Sequence, residues 1–342
     1  MNLLRKLLFP LGIVYWIITF FRNKCYDWSW FSSQSYAIPV IAIGNLSVGG
    51  TGKTPHAEFL IRLLKNQYKL AVLSRGYKRK SKGFVIANSS VSAEILGDES
   101  YQIYTKFPEV RVAVCEDRRT GILHLIENEQ SQVILLDDAY QHRKVQAGFY
   151  VLLTAYDDLF VDDFILPFGN LREPSVGKKR ADVVLVTKCP IDLSDEEKRI
   201  IVKKLNVNVN VYFTAIIYDK EVYSEEGNEL LQSFKSKEKV VVVGIAKPKY
   251  FIEKVKNDKD HIKVYPDHHN FTDAEITELN NWSKTHPIIT TEKDYVRLKG
   301  KIKQNLYYLP IKIKFLENEF SFTNKIKKYV ESSTRNSSLF KK

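Results

Sequence analysis

The segment from Ile38 to Lys65 limits the possible folds of this chain more than any other stretch. The apolar, β-branched run 38–43 predicts a buried strand, and the apolar positions within 57–64 have helical spacing. A glycine-rich turn ending in Lys-Thr lies between them. It consists of Ser47, Val48, Gly49, Gly50, Thr51, Gly52, Lys53 and Thr54. Strand, glycine-rich loop, Lys-Thr and helix in this order are typical of a phosphate-binding P-loop.

The residue types of this turn suit polyphosphate binding. Glycines let backbone N–H groups converge on phosphate oxygens, and the helix start adds its positive dipole end. We expect Lys53 to reach the β- and γ-phosphates of ATP and Thr54 to contact Mg²⁺. Ser47 stands where the pattern G-x-x-x-x-G-K-[ST] has its first glycine. The alternative is a glycine-rich turn that precedes Lys-Thr by chance.

Length and charge narrow the class of protein. A chain of 342 residues is long enough for one large domain or two ordinary ones. Its formal net charge of +12 indicates an anionic partner, such as nucleic acid, an anionic membrane or a phosphorylated substrate. The alternative is that most lysines simply lie on solvated faces. The three cysteines are far apart and form no CxxC pair, which favours a reducing compartment.

The N-terminal residues 1–31 contain an apolar run, 7–21, with basic residues on both sides. The run is shorter than the roughly 20 residues that span a bilayer, and Pro10 and Gly12 interrupt it. We interpret residues 1–31 as a monotopic anchor helix that lies among the inner-leaflet headgroups of a membrane, held by its apolar area and its basic flanks. Two alternatives remain open, a helix packed on the protein's own core and a helix that spans the membrane.

Polar residues follow two predicted strands, at the edge of a parallel sheet where ligands bind. The strand 70–74 is followed by Arg75, which is a candidate for gripping a phosphate or a sugar. The strand 132–136 is followed by Asp137 and Asp138, the arrangement of a Walker B motif, whose carboxylate holds Mg²⁺ directly or through water.

Two further places carry candidate chemistry. Asp98 precedes a helical stretch, and from the residues alone helix capping is favoured over catalysis there. The loop 166–174 places Arg172 beside Glu173, and an arginine there can stabilise a phosphoryl group in transfer. The alternative for this pair is an ordinary surface ion pair.

The predicted fold class is α/β. We expect a P-loop NTPase-like, mostly parallel sheet with helices on both faces, plus a second, smaller α/β domain and the N-terminal membrane-associating helix. The predicted boundaries are 1–31 for the anchor, 32–205 for the P-loop domain, 206–330 for the smaller domain and 331–342 for a flexible tail.

The motifs in their order resemble the tetraacyldisaccharide 4'-kinase (lipid A 4'-kinase) family over nearly the whole chain. The motifs are GNLSVGGTGKTP at 44–55, SRGY at 74–77, GDE at 97–99, DR at 117–118, DDAYQH at 137–142, LREP at 171–174, VTK at 186–188, GIAKP at 244–248, DHH at 267–269 and TEKD at 291–294. No single motif is specific, but the ordered set is. Ala139 stands where the family usually has glycine.

The resemblance implies a kinase that transfers the γ-phosphate of ATP, with Mg²⁺, to the 4'-hydroxyl of a tetraacyl glucosamine disaccharide 1-phosphate. This lipid A precursor would be phosphorylated at the cytoplasmic face of the inner membrane of a Gram-negative-type cell. The resemblance implies no nucleic-acid partner, and we expect a monomer.

The resemblance also implies roles for individual residues. Asp98 becomes the base that accepts the proton of the sugar hydroxyl, with His268 as its partner from the second domain and His269 as the alternative partner. The implied metal site consists of Thr54, Asp137, Asp138 and Glu173. The implied substrate site consists of Arg75, Tyr77, Arg118, Gln141, His142 and Arg172. A dyad split between domains implies closure on ATP binding.

Two other functions fit parts of the sequence. A membrane-surface P-loop ATPase switch of the partitioning or targeting type would also use such a loop. Those ATPases typically carry a lysine where this chain has Val48, and they lack an Asp–His pair. A nucleic-acid-binding ATPase would explain the charge, but it predicts aromatic–basic interleaving or helicase motifs, and the sequence has neither.

Overall fold

The computed structural model describes Arg5, residues 8–267 and residues 269–339, with side chains described as far as Thr334. Its first helix is α1 (Phe9–Asp27). The larger of two sheets has nine strands within the described residues. They are β1 (Val40–Asn45), β2 (Leu70–Ser74), β3 (Val85–Ile86), β4 (Arg111–Val114), β5 (Val133–Asp137), β6 (Phe149–Ala155), β7 (Val183–Thr187), β8 (Asn210–Tyr218) and β15 (Ile311–Phe315).

The order of strands across this sheet is β15-β8-β7-β6-β1-β5-β2-β4-β3. The seven strands from β8 to β4 in this order pair in parallel, and only β15 and β3 pair antiparallel at the two edges. β1 lies between β6 and β5, so the glycine-rich loop that follows β1 and the acidic pair at the end of β5 lie at the same edge.

Helices cover both faces of this sheet, as the α/β class predicts. They are α2 (Lys53–Leu64), α3 (Ala93–Leu96), α4 (Asp98–Lys106), α5 (Arg118–Glu127), the 3₁₀ helix Ser175–Arg180, α6 (Asp195–Leu205) and α11 (Glu319–Leu339). Along β1, Ile41 and Ile43 pack in the core on one face, while Val40 and Ala42 pack in the core on the other. Both sets are buried because a central parallel strand has helices above and below it.

The smaller sheet has six strands in the order β10-β9-β14-β13-β11-β12. Its strands are β9 (Glu221–Ser224), β10 (Gly227–Leu230), β11 (Val240–Val243), β12 (His261–Val264), β13 (Ile288–Thr291) and β14 (Leu306–Leu309). Its helices are α7 (Leu231–Ser236), α8 (Lys249–Val255), α9 (Asp273–Ser283) and α10 (Glu292–Leu298). This sheet and these helices are called the second domain below, and the larger sheet with its helices is called the P-loop domain.

The sheets do not divide at residue 205, the expected boundary. β8 and β15 lie beyond it and extend the larger sheet. Residues 306–315 form two strands in different sheets, because Pro310 lacks an N–H and separates β14 from β15. α11 buries Phe322 and Ile326 against the larger sheet and continues through residues 331–339, part of the expected flexible tail.

α1 rests on the protein by one side and is apolar on the other. Gly12 is buried, and a Cβ there would lie 3.2 Å from that of Phe168, so the helix approaches the loop 166–174 closely. Its exposed large apolar residues are Phe9, Leu11, Ile13, Val14, Trp16, Ile17, Ile18 and Phe21. None of the helices within the described part of the chain is both long and apolar enough to cross a membrane.

Candidate active site

The glycine-rich loop joins the end of β1 to the start of α2. Gly49 and Gly52 have backbone φ angles of 120° and 80°, which residues with a Cβ rarely adopt. Ser47 is buried and forms an isolated antiparallel bridge with Leu171, and the N–H of Val48 donates to the carbonyl of Asn170 at 2.7 Å. The position where the pattern has a glycine is thus tied to the loop that carries Arg172.

Lys53 lies between the end of β1 and the acidic pair. Its Nζ is 3.3 Å from Oδ1 of Asn45 and 3.6 Å from Oδ1 of Asp138. The P-loop lysine and the Walker B acids, predicted separately from the sequence, therefore lie close together. A cation at this position can neutralise part of the charge of a polyphosphate bound at the N-terminus of α2.

The two adjacent carboxylates have opposite electrostatic environments. Asp137 is buried, and burial, with smaller contributions from Glu99 and Asp138, raises the pKa of its carboxyl to about 7. Burial acts the same way on Asp138, but Lys53 and Arg172 outweigh it and lower the pKa of that carboxyl. Nη1 of Arg172 donates to both oxygens of Asp138, at 3.0 and 3.1 Å.

A divalent cation fits the surroundings of Asp137. Its Oδ1 is buried and has no hydrogen-bond partner within the described part of the chain. A buried carboxylate oxygen without a donor suits a hard cation such as Mg²⁺, which prefers oxygen ligands and keeps several waters or phosphates. Among residues 8–267 and 269–339, no three His, Cys, Asp or Glu side chains form a group that could hold a metal ion.

Glu173 is the centre of a hydrogen-bond network. Its Oε1 accepts from Nη2 of Arg180 at 2.7 Å and from Nε2 of Gln141 at 3.0 Å, and its Oε2 accepts from Nδ2 of Asn23 at 2.6 Å. The carboxylate is buried, and three protein donors already satisfy it. These contacts favour a role in fixing the loop that carries Arg172. Its expected metal contact stays a prediction.

A cleft open to solvent, about 470 Å³ in volume, lies beside the acidic pair. It brings together Arg75, Tyr77, Asp98, Asp137 and Asp138, which the sequence predicted as site residues. Its further lining residues are Ser74, Gly76, Lys78, Gly97, Glu99 and Ser100. Asp98 and two of the metal candidates, Asp137 and Asp138, therefore face one space.

Arg118 is buried and His142 is half-buried, and neither side chain lines this cleft. Arg118 is buried, and its Nη1 donates to the carbonyls of Cys115 and Glu116 at 3.1 and 3.3 Å. Burial, with the neighbouring charge of Arg75, lowers the pKa of Arg118 to about 10. Burial, with the charge of Arg118, lowers the pKa of His142 to about 4, so its imidazole is neutral at pH 7.

Asp98 is the first residue of α4, and its carboxylate pairs with a residue of the second domain. Nε of Arg297, on α10, donates to Oδ2 of Asp98 at 3.0 Å. The expected partner His268 lies outside the described residues. The alternative partner, His269, contacts Glu275 of its own domain at 2.9 Å.

Sequence reasoning missed Arg297, Asn23 and Arg180. Arg297 follows the motif TEKD by three residues, one helical turn after Asp294, and that spacing was the available signal. Asn23 and Arg180 gave no signal, because each acts through Glu173, which is distant in sequence.

α1 also contacts the site directly. The hydroxyl of Tyr15 donates to the carbonyl of Arg172 at 3.0 Å, and Nη2 of Arg22 donates to the carbonyl of Gln141 at 3.2 Å. With the bond from Asn23 to Glu173, these contacts connect the polar side of α1 to the loop beside the acidic pair.

Comparisons with known proteins agree over nearly the whole length of the chain. The family model described as tetraacyldisaccharide-1-P 4'-kinase matches residues 4–331. The tetraacyldisaccharide 4'-kinase of Flavobacterium johnsoniae is 53% identical over 97% of this chain and 99% of that protein. The same enzyme of Flavobacterium psychrophilum is 52% identical over 98% of this chain and 100% of that protein.

A solved structure is similar as well. The LpxK of Aquifex aeolicus, an "apo" form in complex with ATP, superposes with a TM-score of 0.79 at 31% identity. The match covers 96% of this chain and 100% of that chain.

Proposed function

Since this chain belongs to the tetraacyldisaccharide-1-P 4'-kinase family, we propose that its cleft binds ATP beside a tetraacyl glucosamine disaccharide 1-phosphate and transfers the γ-phosphate to the 4'-hydroxyl. The family makes the chain an ATP-dependent kinase of lipid A biosynthesis. The observation that carries the assignment of residues is the cleft itself, which Asp98 shares with Asp137 and Asp138.

The nucleotide binds at the loop from Ser47 to Thr54 in this proposal. Backbone N–H groups of the loop and the N-terminus of α2 hold the phosphates, and Lys53 reaches the β- and γ-phosphates. The positive φ angles of Gly49 and Gly52 support this, because they give the loop a conformation that leaves room for a phosphate group.

Asp137, Asp138, Thr54 and Glu173 are the residues that would hold Mg²⁺. A bound Mg²⁺ would neutralise charge that develops on the β- and γ-phosphates. The buried Oδ1 of Asp137 without a donor is the structural support for this role. Asp138 keeps its negative charge through Lys53 and Arg172, which lower the pKa of its carboxyl against the effect of burial.

Asp98 acts as the base that accepts the proton of the 4'-hydroxyl as the hydroxyl oxygen attacks the γ-phosphorus and the bond to the β-phosphate oxygen breaks to release ADP. A carboxylate suits this role because the transition state of phosphoryl transfer is loose, so a weak base is sufficient. His268 is its proposed partner from the second domain. The remaining polar groups would bind the disaccharide and its 1-phosphate: Arg75, Tyr77, Arg118, Gln141, His142 and Arg172.

The reaction takes place at an anionic membrane surface in this proposal, the cytoplasmic face of the inner membrane, with the protein as a monomer. The exposed apolar side of α1 supports this, since eight large apolar side chains there are at least 42% exposed. The net charge of +12 adds attraction to anionic lipid.

The test is transfer of radiolabelled γ-phosphate from Mg-ATP to the tetraacyl disaccharide 1-phosphate in detergent micelles, with Lys53→Ala and Asp98→Ala beside wild type. A labelled bisphosphorylated lipid made by wild type and lost in both variants supports the proposal. ATP hydrolysis without lipid labelling, unchanged in Asp98→Ala, would instead support a membrane-surface ATPase switch.

A further inference from the structure

α10 of the second domain lies along α4 of the P-loop domain and pairs with it at both ends. Glu292, the first residue of α10, forms an ion pair with Lys106, the last residue of α4. Near the other end of α10, Arg297 pairs with Asp98, the first residue of α4. The two helices are therefore antiparallel, and the ionic contacts are about 12 Å apart along α4 at 1.5 Å per residue.

The contact at Asp98 has a specific geometry. Nε and Nη2 of Arg297 both donate to Oδ2 of the Asp98 carboxylate, the former at 3.0 Å. The Arg297 side chain is 8% exposed, whereas that of Asp98 is 30% exposed. The arginine is thus enclosed within the protein, and the carboxylate that it holds faces the open cleft.

Arg297 also forms an ion pair within the second domain, with a buried and hydrogen-bonded carboxylate. Its Nη1 is 3.6 Å from Oδ1 of Asp294, which is fully buried. Asp294 accepts from the N–H of Gly244 and from the hydroxyl of Thr291, each at 2.8 Å. A Cβ at Gly244 would lie 3.0 Å from Oδ1 of Asp294, so the backbone there is close against the carboxylate.

We infer that Arg297 is a positioning residue for phosphoryl transfer: from the second domain it orients the Asp98 carboxylate toward the acceptor hydroxyl. A guanidinium cannot serve as the base itself, because it stays protonated in proteins. Two donors from one planar group fix the direction of the carboxylate better than a single flexible ammonium does. This inference rests on the proposed role of Asp98 as the base.

The variants Arg297→Gln and Arg297→Lys in the full-length protein test this inference. We expect Arg297→Gln to lower kcat by about 10- to 100-fold, the size of effect that a misplaced reacting group produces. KM for ATP and for the lipid should change by less than about twofold, because the ground-state contacts remain. Arg297→Lys should recover part of kcat, since it restores the charge but not the two-donor geometry.

A double-mutant cycle tests the role of Arg297 separately from the proposed role of Asp98 as the base. Asp98→Asn alone should lower kcat by about 10²- to 10⁴-fold. If Arg297 acts through Asp98, adding Arg297→Gln to Asp98→Asn should cause no further loss. Near-normal turnover of Asp98→Asn would overturn the base itself. An Arg297→Gln loss that persists in full on the Asp98→Asn background, or that appears mainly as a higher KM for the lipid, would overturn the positioning role only.

Arg111→Gln is the matched control. Arg111 also forms an ion pair, with Glu129 at 3.0 Å, but its side chain is 56% exposed and it lies at the amino end of β4, away from the cleft. Thermal unfolding and ATP binding of each variant are measured in parallel. Full activity of Arg297→Gln, or a kcat loss equal to that of Arg111→Gln, would contradict the inference. If Arg297→Gln does not fold, Arg297→Lys in the same cycle gives the decision.

Discussion

Nδ2 of Asn23 donates a 2.6 Å hydrogen bond to Oε2 of Glu173, so the N-terminal helix contacts the hydrogen-bond network of the loop 166–174, which carries Arg172. Asn23 is buried although most of α1 is exposed. The helix therefore has two separable sides. One side is apolar and suited to a membrane surface, and the other supports the loop that carries Arg172.

We predict that Asn23→Leu lowers kcat by several-fold while binding to anionic vesicles is unchanged. The substitution removes a donor from a buried carboxylate, which costs about 1–3 kcal/mol at that group and loosens the loop. Steady-state kinetics in micelles and vesicle sedimentation measure the two effects. Asn23→Asp, which places a second carboxylate beside that of Glu173, should lower kcat at least as much. A selective loss of vesicle binding in Asn23→Leu would contradict the prediction.

Negative charges on the apolar side of α1 should weaken vesicle binding and leave kcat nearly unchanged, the reverse of the effects expected for Asn23→Leu. Leu11 and Ile18 are 58% and 60% exposed, so Leu11→Glu with Ile18→Glu should fold normally and bind anionic vesicles more weakly. With substrate dispersed in detergent, kcat should stay within about twofold of wild type, since both side chains are largely exposed to solvent. Unaltered sedimentation with vesicles would show that this side does not bind membranes.

Glu173→Leu should lower the free energy of unfolding by about 3–5 kcal/mol, because it leaves the buried charge of Arg180 without its partner. Nη2 of Arg180 is 2.7 Å from Oε1 of Glu173, and the two side chains are 16% and 3% exposed. Chemical denaturation measures the change. Disrupting the exposed pair of Arg111 with Glu129 should cost less than about 1 kcal/mol. Equal losses in the two variants would contradict a buried ion pair at Glu173.

The pH dependence of stability should change in Glu292→Gln. Burial, with the nearby charge of Glu58, raises the pKa of Glu292 from 4.5 to about 7, against the opposing effect of Lys106. Between these values the folded protein holds a proton that the unfolded chain has lost, so wild-type stability falls as pH rises from 4.5 to about 7.

Glutamine cannot ionise, and the variant should lack this part of the fall. We therefore expect the stability of Glu292→Gln relative to wild type to increase between pH 5 and pH 8. Denaturation curves of the two proteins at several pH values give the difference, in which the contributions of other groups cancel. A constant difference across this range would contradict a raised pKa at Glu292.

Features that depend on a few neighbouring residues could be predicted from the sequence. The strand, glycine-rich loop and helix around Lys53 lie as predicted, because each depends on side-chain spacing within a few residues. The acids at the end of β5 were found for the same reason, since a strand of a parallel sheet presents its carboxyl end to the ligand edge.

Contacts between segments that are distant in the sequence could not be predicted from such local patterns. The segment 306–315 has β character on both sides of Pro310, yet β14 and β15 belong to different sheets, and the partner strands of each come from distant parts of the chain. The sequence and the family resemblance leave Glu173 as a metal ligand or as half of a surface pair, and neither predicts that Asn23, Gln141 and Arg180 converge on it in the folded chain.

Short-range patterns of residue type are enough to predict the family, the glycine-rich loop, the acidic pair and an apolar N-terminal helix. The pairing of Arg297 with Asp98 across 199 residues, and the hydrogen bond from Asn23 to Glu173 across 150, become visible in the folded chain alone. Hydrogen bonds and ion pairs require distances of about 3 Å, and the packing of the sheets and helices sets those distances.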